Sequence, residues 1–297
     1  MPRAKSQEPR AKSQEPRAKS QDNALKILVC YHKPYIFPPD NKVFLPIQGG
    51  KAISNLDLHI QGDNEVNGHL CNNISAKNES YCELTVLYWA WKNLKKLCPD
   101  VKYIGLFHYR RFFDFDENQV IRTLESGKII IAQKSILKYS LRIQYSIGHV
   151  SEDYRILCRI IKEKFQDYYD AFITVMEKNN KISFCNMFIM KYEDFVKYCE
   201  WLFAVLSEVE PLVPYQHYNA SQKRVFGFMA ERLFNVYIHK HNIKTEQYDV
   251  YTYPNIPKKK NLIKRVYDFL RCCHSNIAFW FTQEKFIKLK QVIKNIP

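Results

Sequence analysis

The sequence predicts an α/β fold, a sheet flanked by helices in one Rossmann-like domain, and three observations carry that expectation. Apolar runs rich in β-branched and aromatic residues recur at 25–30, 103–107, 128–133, 184–190 and 243–253, the composition of strands. Stretches with apolar residues at helical spacing lie between them, at 81–97, 152–177 and 192–208. The run Tyr103-Ile104-Gly105-Leu106-Phe107 stops abruptly in His108, Tyr109, Arg110 and Arg111, as a buried strand does when it delivers polar groups to its carboxyl end. Ligands bind at that end of open α/β sheets.

At 297 residues, with 46% hydrophobic and 14% aromatic side chains, the chain can bury a sizeable core. Its 45 Lys and Arg against 30 Asp and Glu leave a charge of +15, which calls for an acidic partner such as a nucleotide, a nucleic acid or an anionic membrane. The excess is uneven. Residues 1–22 hold six basic and three acidic side chains and residues 257–297 hold ten and two, so 23–256 carry only +4. A nearly neutral centre argues against a nucleic-acid binder. The nine cysteines show no CxxC spacing, which fits reduced thiols in a cytosolic protein. No apolar run reaches the roughly 18 residues that cross a bilayer, and the N-terminus lacks the apolar stretch of a signal peptide. The expected location is the cytoplasm.

Residues 1–22 form a heptapeptide repeat, PRAKSQE twice and then PRAKSQ, charged and free of large apolar side chains. Disorder is expected, and the absence of an apolar a/d pair excludes a coiled coil. The heptanucleotide CCAAGAG read through three successive frames translates to PRAKSQE, which few heptapeptides allow. The repeat therefore predicts a slippage-prone DNA tract that switches the gene on and off, against the alternative of a simple basic tail. Scrambled codon usage over Pro2 to Gln21 would refute it.

The globular part, 23–256, opens with a strand at 25–30 that empties into Tyr31, His32 and Lys33. Such a loop seats a nucleotide; Lys33 reads as a phosphate contact or as a solvated lysine. With eight glycines and neither GxGxxG nor GxxxxGK[ST], the dinucleotide and P-loop readings lose their support, and 48–51 reads as a turn. Residues 63–80 are polar and loop-like. The helix at 81–97 presents Leu84, Leu87, Tyr88, Trp91 and Leu94 to the core, and Glu83 near its start is favoured by the helix dipole with or without a catalytic task. The carboxylates of Asp114-Phe115-Asp116 are spaced for a divalent cation, Mn2+ or Mg2+, or else Asp116 and Glu117 cap a helix at 118–125. Strands follow at 128–133 and at 184–190, the second interrupted by Asn186. After a polar loop at 215–221, Arg224, Glu231 and Arg232 sit among bulky apolar residues. Glu231 is either a catalytic carboxylate or half of a buried ion pair. Residues 257–297 interleave Lys258-Lys259-Lys260, Lys264, Arg265 and Arg271 with apolar residues before Phe279-Trp280-Phe281. This is a basic amphipathic helical tail that suits an anionic membrane face or packs on the domain.

Several of these stretches together resemble a known bacterial family. They are Asn73-Ile74-Ser75, Lys77-Asn78, Tyr81-Cys82-Glu83-Leu84-Thr85 with Tyr88-Trp89-Ala90-Trp91-Lys92-Asn93, Tyr103-Ile104-Gly105-Leu106 with His108-Tyr109-Arg110-Arg111, Asn186-Met187-Phe188-Ile189-Met190, and Arg224-Val225-Phe226-Gly227-Phe228 with Glu231-Arg232-Leu233. The family is filed as a domain of unknown function, and its members are usually named capsular polysaccharide, exopolysaccharide or lipooligosaccharide glycosyltransferases. The resemblance implies a GT-A-like fold over 23–256 that moves a hexose, galactose-type favoured, from a nucleotide diphosphate sugar to a lipid-linked or lipooligosaccharide glycan. In galactosyltransferases of that fold a strand similar to 102–106 ends in a D-x-D metal motif, where this chain has His108-Tyr109-Arg110. A later strand there carries an asparagine like Asn186. Cys71-Asn72 also departs from the glycine and aspartate of the family.

Residues and resemblance converge on one expectation. The donor diphosphate rests on Arg110 and Arg111, with Lys33, His32, His108, Asn186 and Arg224 as further donor contacts, and the arginines neutralise the leaving group without a certain metal. Glu231 first and Glu83 second are the candidate bases for the acceptor hydroxyl. The tail brings the enzyme to the inner face of the cytoplasmic membrane, and no nucleic acid is involved. The rivals are a non-enzymatic basic protein that binds nucleic acid or membrane, and a phosphodiesterase using Asp114 and Asp116.

Overall fold

The computed structural model describes residues 24–36, 42–252 and 262–294. The repeat at 1–22 and Lys258-Lys259-Lys260 lie outside them. Among the described residues the main sheet holds nine strands. At its centre β1 (Leu25–Tyr31) pairs in parallel with β2 (Phe44–Gln48) on one side and β6 (Tyr103–His108) on the other. Beyond β2 lies β3 (Gln61–Gly62). Next to β6, β11 (Phe188–Lys191) runs antiparallel to it and to β8 (Lys128–Ala132), and β12 (Lys244–Tyr248) joins β8 in parallel. A reversal at Tyr109 and Arg110 folds β7 (Arg111–Phe113) back on β6, and β13 (Val250–Thr252) pairs with β7. Two small antiparallel pairs complete the strands, the hairpin β4 (Glu65–Val66) with β5 (His69–Leu70) and the long-range pair β9 (Ser135–Ile136) with β10 (Lys181–Ile182). The mixed sheet is the architecture the sequence predicts.

Both faces of the sheet are covered because its strands are apolar on both sides. The two-residue period sends Leu28, Ile104, Leu106, Ile129, Ile131, Phe188 and Met190 to one core, and Ile27, Val29, Phe107, Ile130 and Ile189 to the other. The first core is roofed by α2 (Leu84–Leu97), α4 (Leu141–Gly148), α5 (Ser151–Lys164), α6 (Tyr169–Glu177), α7 (Tyr192–Val209) and α8 (Val225–Lys240). The second is covered by α3 (Glu117–Glu125), through Val120 and Leu124, and by aromatic residues of β7 and its flanks. Gly105 sits where the strands crowd. A Cβ there would come within 2.6 Å of the Ile27 side chain and 3.0 Å of the Phe188 carbonyl, so no larger residue fits without displacing a neighbouring strand.

Several expected elements have different limits. The helix expected at 81–97 is broken at Cys82, whose φ of 52° is left-handed, leaving a short α1 (Asn78–Tyr81) before α2. On α2 Trp89 is fully buried, whereas Tyr88 and Trp91 are half-buried, Trp91 stacking on Phe203 and Tyr88 meeting it edge-on. The strand expected at 184–190 starts only at Phe188, because Cys185 and Asn186 both have positive φ, at 74° and 51°. The strand expected at 243–253 is divided into β12 and β13, and the charged stretch 152–177 into α5 and α6. The tail is one helix, α9 (Leu262–Lys294).

Candidate active site

The parallel pair β1 and β6 ends at the same edge of the sheet, and β11, running the other way, starts there. This topology gathers side chains from distant sequence: His32 and Lys33 follow β1, His108 to Arg111 end β6, and the Cys185-Asn186 turn precedes β11. They line a cavity of about 740 Å3, together with Glu83 at the start of α2 and Arg224 and Glu231 of the α8 region. That volume holds a ligand of nucleotide-sugar size. Of the residues expected from sequence, Lys33, His32, His108, Arg110, Arg111, Arg224, Glu83 and Glu231 line this one cavity. Asn186 stands just behind it, 2% exposed.

The cationic part of the wall is organised by Tyr109, which sequence reasoning left without a role. Its ring is buried; Lys33 Nζ lies 5.7 Å and the Arg110 guanidinium 5.6 Å from its centroid, and His32 meets it edge-on at 4.9 Å. Among the described residues, Lys33, Arg110 and Arg111 form no ion pair with a carboxylate. Three cations left unneutralised at one edge suit an anionic ligand, which the arginines can grip bidentately. Loss of solvent, then the charges of Lys33 and Arg110, push His32 below the usual histidine range, so it stays a neutral hydrogen-bonding group near pH 7.

The acidic part is organised by the turn at Cys185-Asn186. Two consecutive residues with positive φ are a strained geometry that the surroundings must hold. Three side chains from separate elements do so: His108 Nε2 lies 2.6 Å from the Cys185 carbonyl, Glu231 Oε1 accepts the Cys185 amide at 2.8 Å, and Glu83 Oε1 accepts from Asn186 Nδ2 at 2.7 Å. Glu231 is further bound through Oε2 to Arg232 Nη1 at 2.8 Å, and Arg232, 1% exposed, also reaches the Phe228 carbonyl and Gln144. Burial raises the Glu231 carboxyl above its usual range, while Arg232 and the Cys185 amide oppose the rise. Both Glu231 oxygens are thus engaged. Glu83 uses one oxygen only, and among the described residues its Oε2 has no partner. Two thiols of this wall are kept protonated by burial, Cys185 pushed up to about 11 and Cys82 to about 12.

The carboxylates of Asp114 and Asp116 do not belong to this site. Asp116 Oδ1 accepts the Gln119 amide at 2.8 Å and caps α3, which is the alternative their spacing left open, and neither residue lines the cavity. No cluster of three or more His, Cys, Asp or Glu side chains suited to a metal occurs among the described residues. The remaining wall, absent from the sequence expectations, comes from Asn78 and Glu79 of α1 and from Tyr218, Ala220 and Lys223. Only the polarity of 215–221 hinted at it.

Among curated proteins none matches this chain. A solved structure, the apo form of the bifunctional glycosyltransferase WbbM, is similar with a TM-score of 0.68 at 28% identity, over 80% of this chain and 48% of that one. The chain therefore spans about half the length of that protein. A family model matches residues 26–242, taking in every side chain of the cavity wall, and the chain belongs to the family described as Domain of unknown function (DUF4422).

Proposed function

We propose that this protein is a glycosyltransferase that moves a hexose, galactose-type favoured, from a nucleotide diphosphate sugar to a lipooligosaccharide or capsular glycan. The observation that carries the reading is the unpaired Lys33, Arg110 and Arg111 facing one cavity with Glu83 and Glu231 in the same wall. Likeness to a solved bifunctional glycosyltransferase supports it.

The pyrophosphate rests on Arg110 and Arg111, with Lys33 and Arg224 beside it and His32 and His108 as hydrogen-bonding groups. As the bond between the anomeric carbon and the diphosphate oxygen breaks, its electron pair leaves with the diphosphate, and fixed guanidinium charges stabilise that departure. The acceptor hydroxyl forms the new bond to the anomeric carbon and gives up its proton to a carboxylate. Glu83, with its free Oε2, fits that task better than Glu231, whose oxygens hold the Cys185 turn and Arg232. Asn186 orients Glu83.

The test is hydrolysis of a panel of UDP, CDP and GDP sugars, beside Arg110→Ala and Arg111→Ala. Each substitution is expected to lower turnover by at least ~10²-fold, the usual cost of removing a charge-stabilising group. Unchanged turnover would take the arginines out of the mechanism, and no turnover on any donor, together with salt-sensitive oligonucleotide binding, would favour a basic binding protein instead.

The acceptor is reached at an anionic membrane surface through α9. Its inner side packs on the domain, with Ser275 4% exposed, Asn180 Nδ2 donating to Asn276 Oδ1, and Gln283 Nε2 donating to the Glu177 carbonyl. Val266, Leu270, Ile277 and Phe281 recur at helical spacing on the side away from Ser275, each about half exposed, with Phe269 and Trp280 beside them. An apolar stripe facing outward, in a segment of charge +8, fits the headgroup boundary of anionic lipid. No helix among the described residues is long and apolar enough to cross a membrane. Co-sedimentation with phosphatidylglycerol vesicles, lost in Leu270→Glu with Trp280→Glu, is the expected result; equal binding by that variant would remove α9 from the interaction. The switchable tract at 1–22 is consistent with a surface glycan that varies.

A further inference from the structure

We propose that Tyr218 is the platform on which the acceptor sugar lies, with Lys223 and Glu79 as its polar rim. This rests on the transferase reading and adds the acceptor half of the site to it.

Behind the cavity lies Asp153. This carboxylate lies near the start of α5 and is 1% exposed, yet it has no cationic partner among the described residues. Its side chain makes one hydrogen bond there, accepting from the Tyr218 phenol at 2.7 Å through Oδ1. Burying a carboxylate with so little compensation is costly, and burial raises its pKa accordingly. A phenylalanine at 218 would fill the same space but leave the buried carboxylate without that one partner. What the pair achieves is orientation: the hydroxyl is turned inward to Asp153, and the rest of the ring is left to line the cavity.

An aromatic ring fixed in that way offers an apolar face to the C–H face of a pyranose. The rim supplies what the sugar hydroxyls need. Lys223 Nζ meets Glu79 Oε2 at 2.6 Å, and the side chains keep 31% and 63% of their surface exposed, so donors and acceptors remain open to a ligand. Their charges cancel, which suits a neutral glycan rather than a second phosphate. The 3-10 turns that carry this wall are tied to their surroundings elsewhere, by Gln222 Nε2 donating to the Gly148 carbonyl and Arg224 Nε donating to Cys82 Sγ. The platform is therefore preformed. Glu83 lines the same cavity and takes the proton of the hydroxyl that attacks.

The probes are octyl glycosides of galactose, glucose and N-acetylglucosamine, offered with whichever nucleotide sugar the wild-type protein hydrolyses. The reading is the ratio of sugar transferred to sugar released into water. Tyr218→Ala is expected to lower that ratio at least about tenfold by raising the KM for the glycoside. Tyr218→Phe keeps the ring and loses the tether; combined with Asp153→Asn, which removes the buried charge that the tether serves, it guards against misfolding and should lower the ratio by about threefold. A wild-type ratio in Tyr218→Ala, or in Tyr218→Leu where the alanine variant is unfolded, would overturn the platform while leaving the donor site intact. Wild-type protein that turns over no donor at all would overturn both readings.

Discussion

The two walls of the cavity treat charge in opposite ways. At the ends of β1 and β6 the cations stand without carboxylates, Lys33 and Arg110 over the ring of Tyr109, whereas on the α1 side Lys223 is neutralised by Glu79. Like charges held together repel, and a fold keeps them so only where a ligand of opposite sign repays the arrangement. On the proposed transferase reading, the anionic part of the substrate faces one wall and an uncharged part the other. Between them stand the carboxylates, one with an open oxygen and one fully engaged.

The sharpest way to break that comparison is to remove the group at the junction. Glu83→Gln keeps the Asn186 contact through its amide oxygen but cannot accept a proton, and transfer should fall by about 10³-fold, within the range for general-base removal. Glu231→Gln should instead lower thermal stability, since it weakens the hold on Arg232; a larger transfer loss in Glu231→Gln than in Glu83→Gln would exchange their roles. The smallest expected effect lies behind the neutral wall and is read as stability. Burial raises the Asp153 carboxyl above its unfolded value of about 4, so its contribution to folding is complete below that pH and is lost as pH rises through the folded value. Asp153→Asn has no such loss. The melting temperature of the variant relative to wild type should climb between about pH 4 and pH 7; a constant difference would mean that the carboxylate does not feel its burial.

Much of the cationic wall was legible in the sequence, because an apolar run that ends in His108-Tyr109-Arg110-Arg111 can only place those groups at a strand end. The strands at 25–30 and 128–133 were legible for the same reason, being short, apolar and bounded by polar turns. The acidic wall was legible as residue types but not as geometry. Nothing local in Phe184-Cys185-Asn186 signals left-handed backbone, since the turn is imposed by His108, Glu83 and Glu231 from far along the chain. Likewise Cys82 breaks a helix that its apolar spacing continues, and Tyr218 gains its orientation from Asp153, 65 residues away. The pair at Asp114 and Asp116 misled in the other direction: a spacing that matches a cation site serves one helix cap. The outward stripe of α9 was legible as amphipathicity, though not which side would face the domain.

The clamped turn before β11 also has a temporal side. Its holders lie at 83, 108 and 231, and the last, Glu231, lies in the middle of α8. During synthesis the chain emerges from the ribosome with Lys33, Arg110 and Arg111 already made and the last holder of the turn still to come. A product that stops short of α8 keeps those cations but lacks the carboxylate that holds the Cys185 amide.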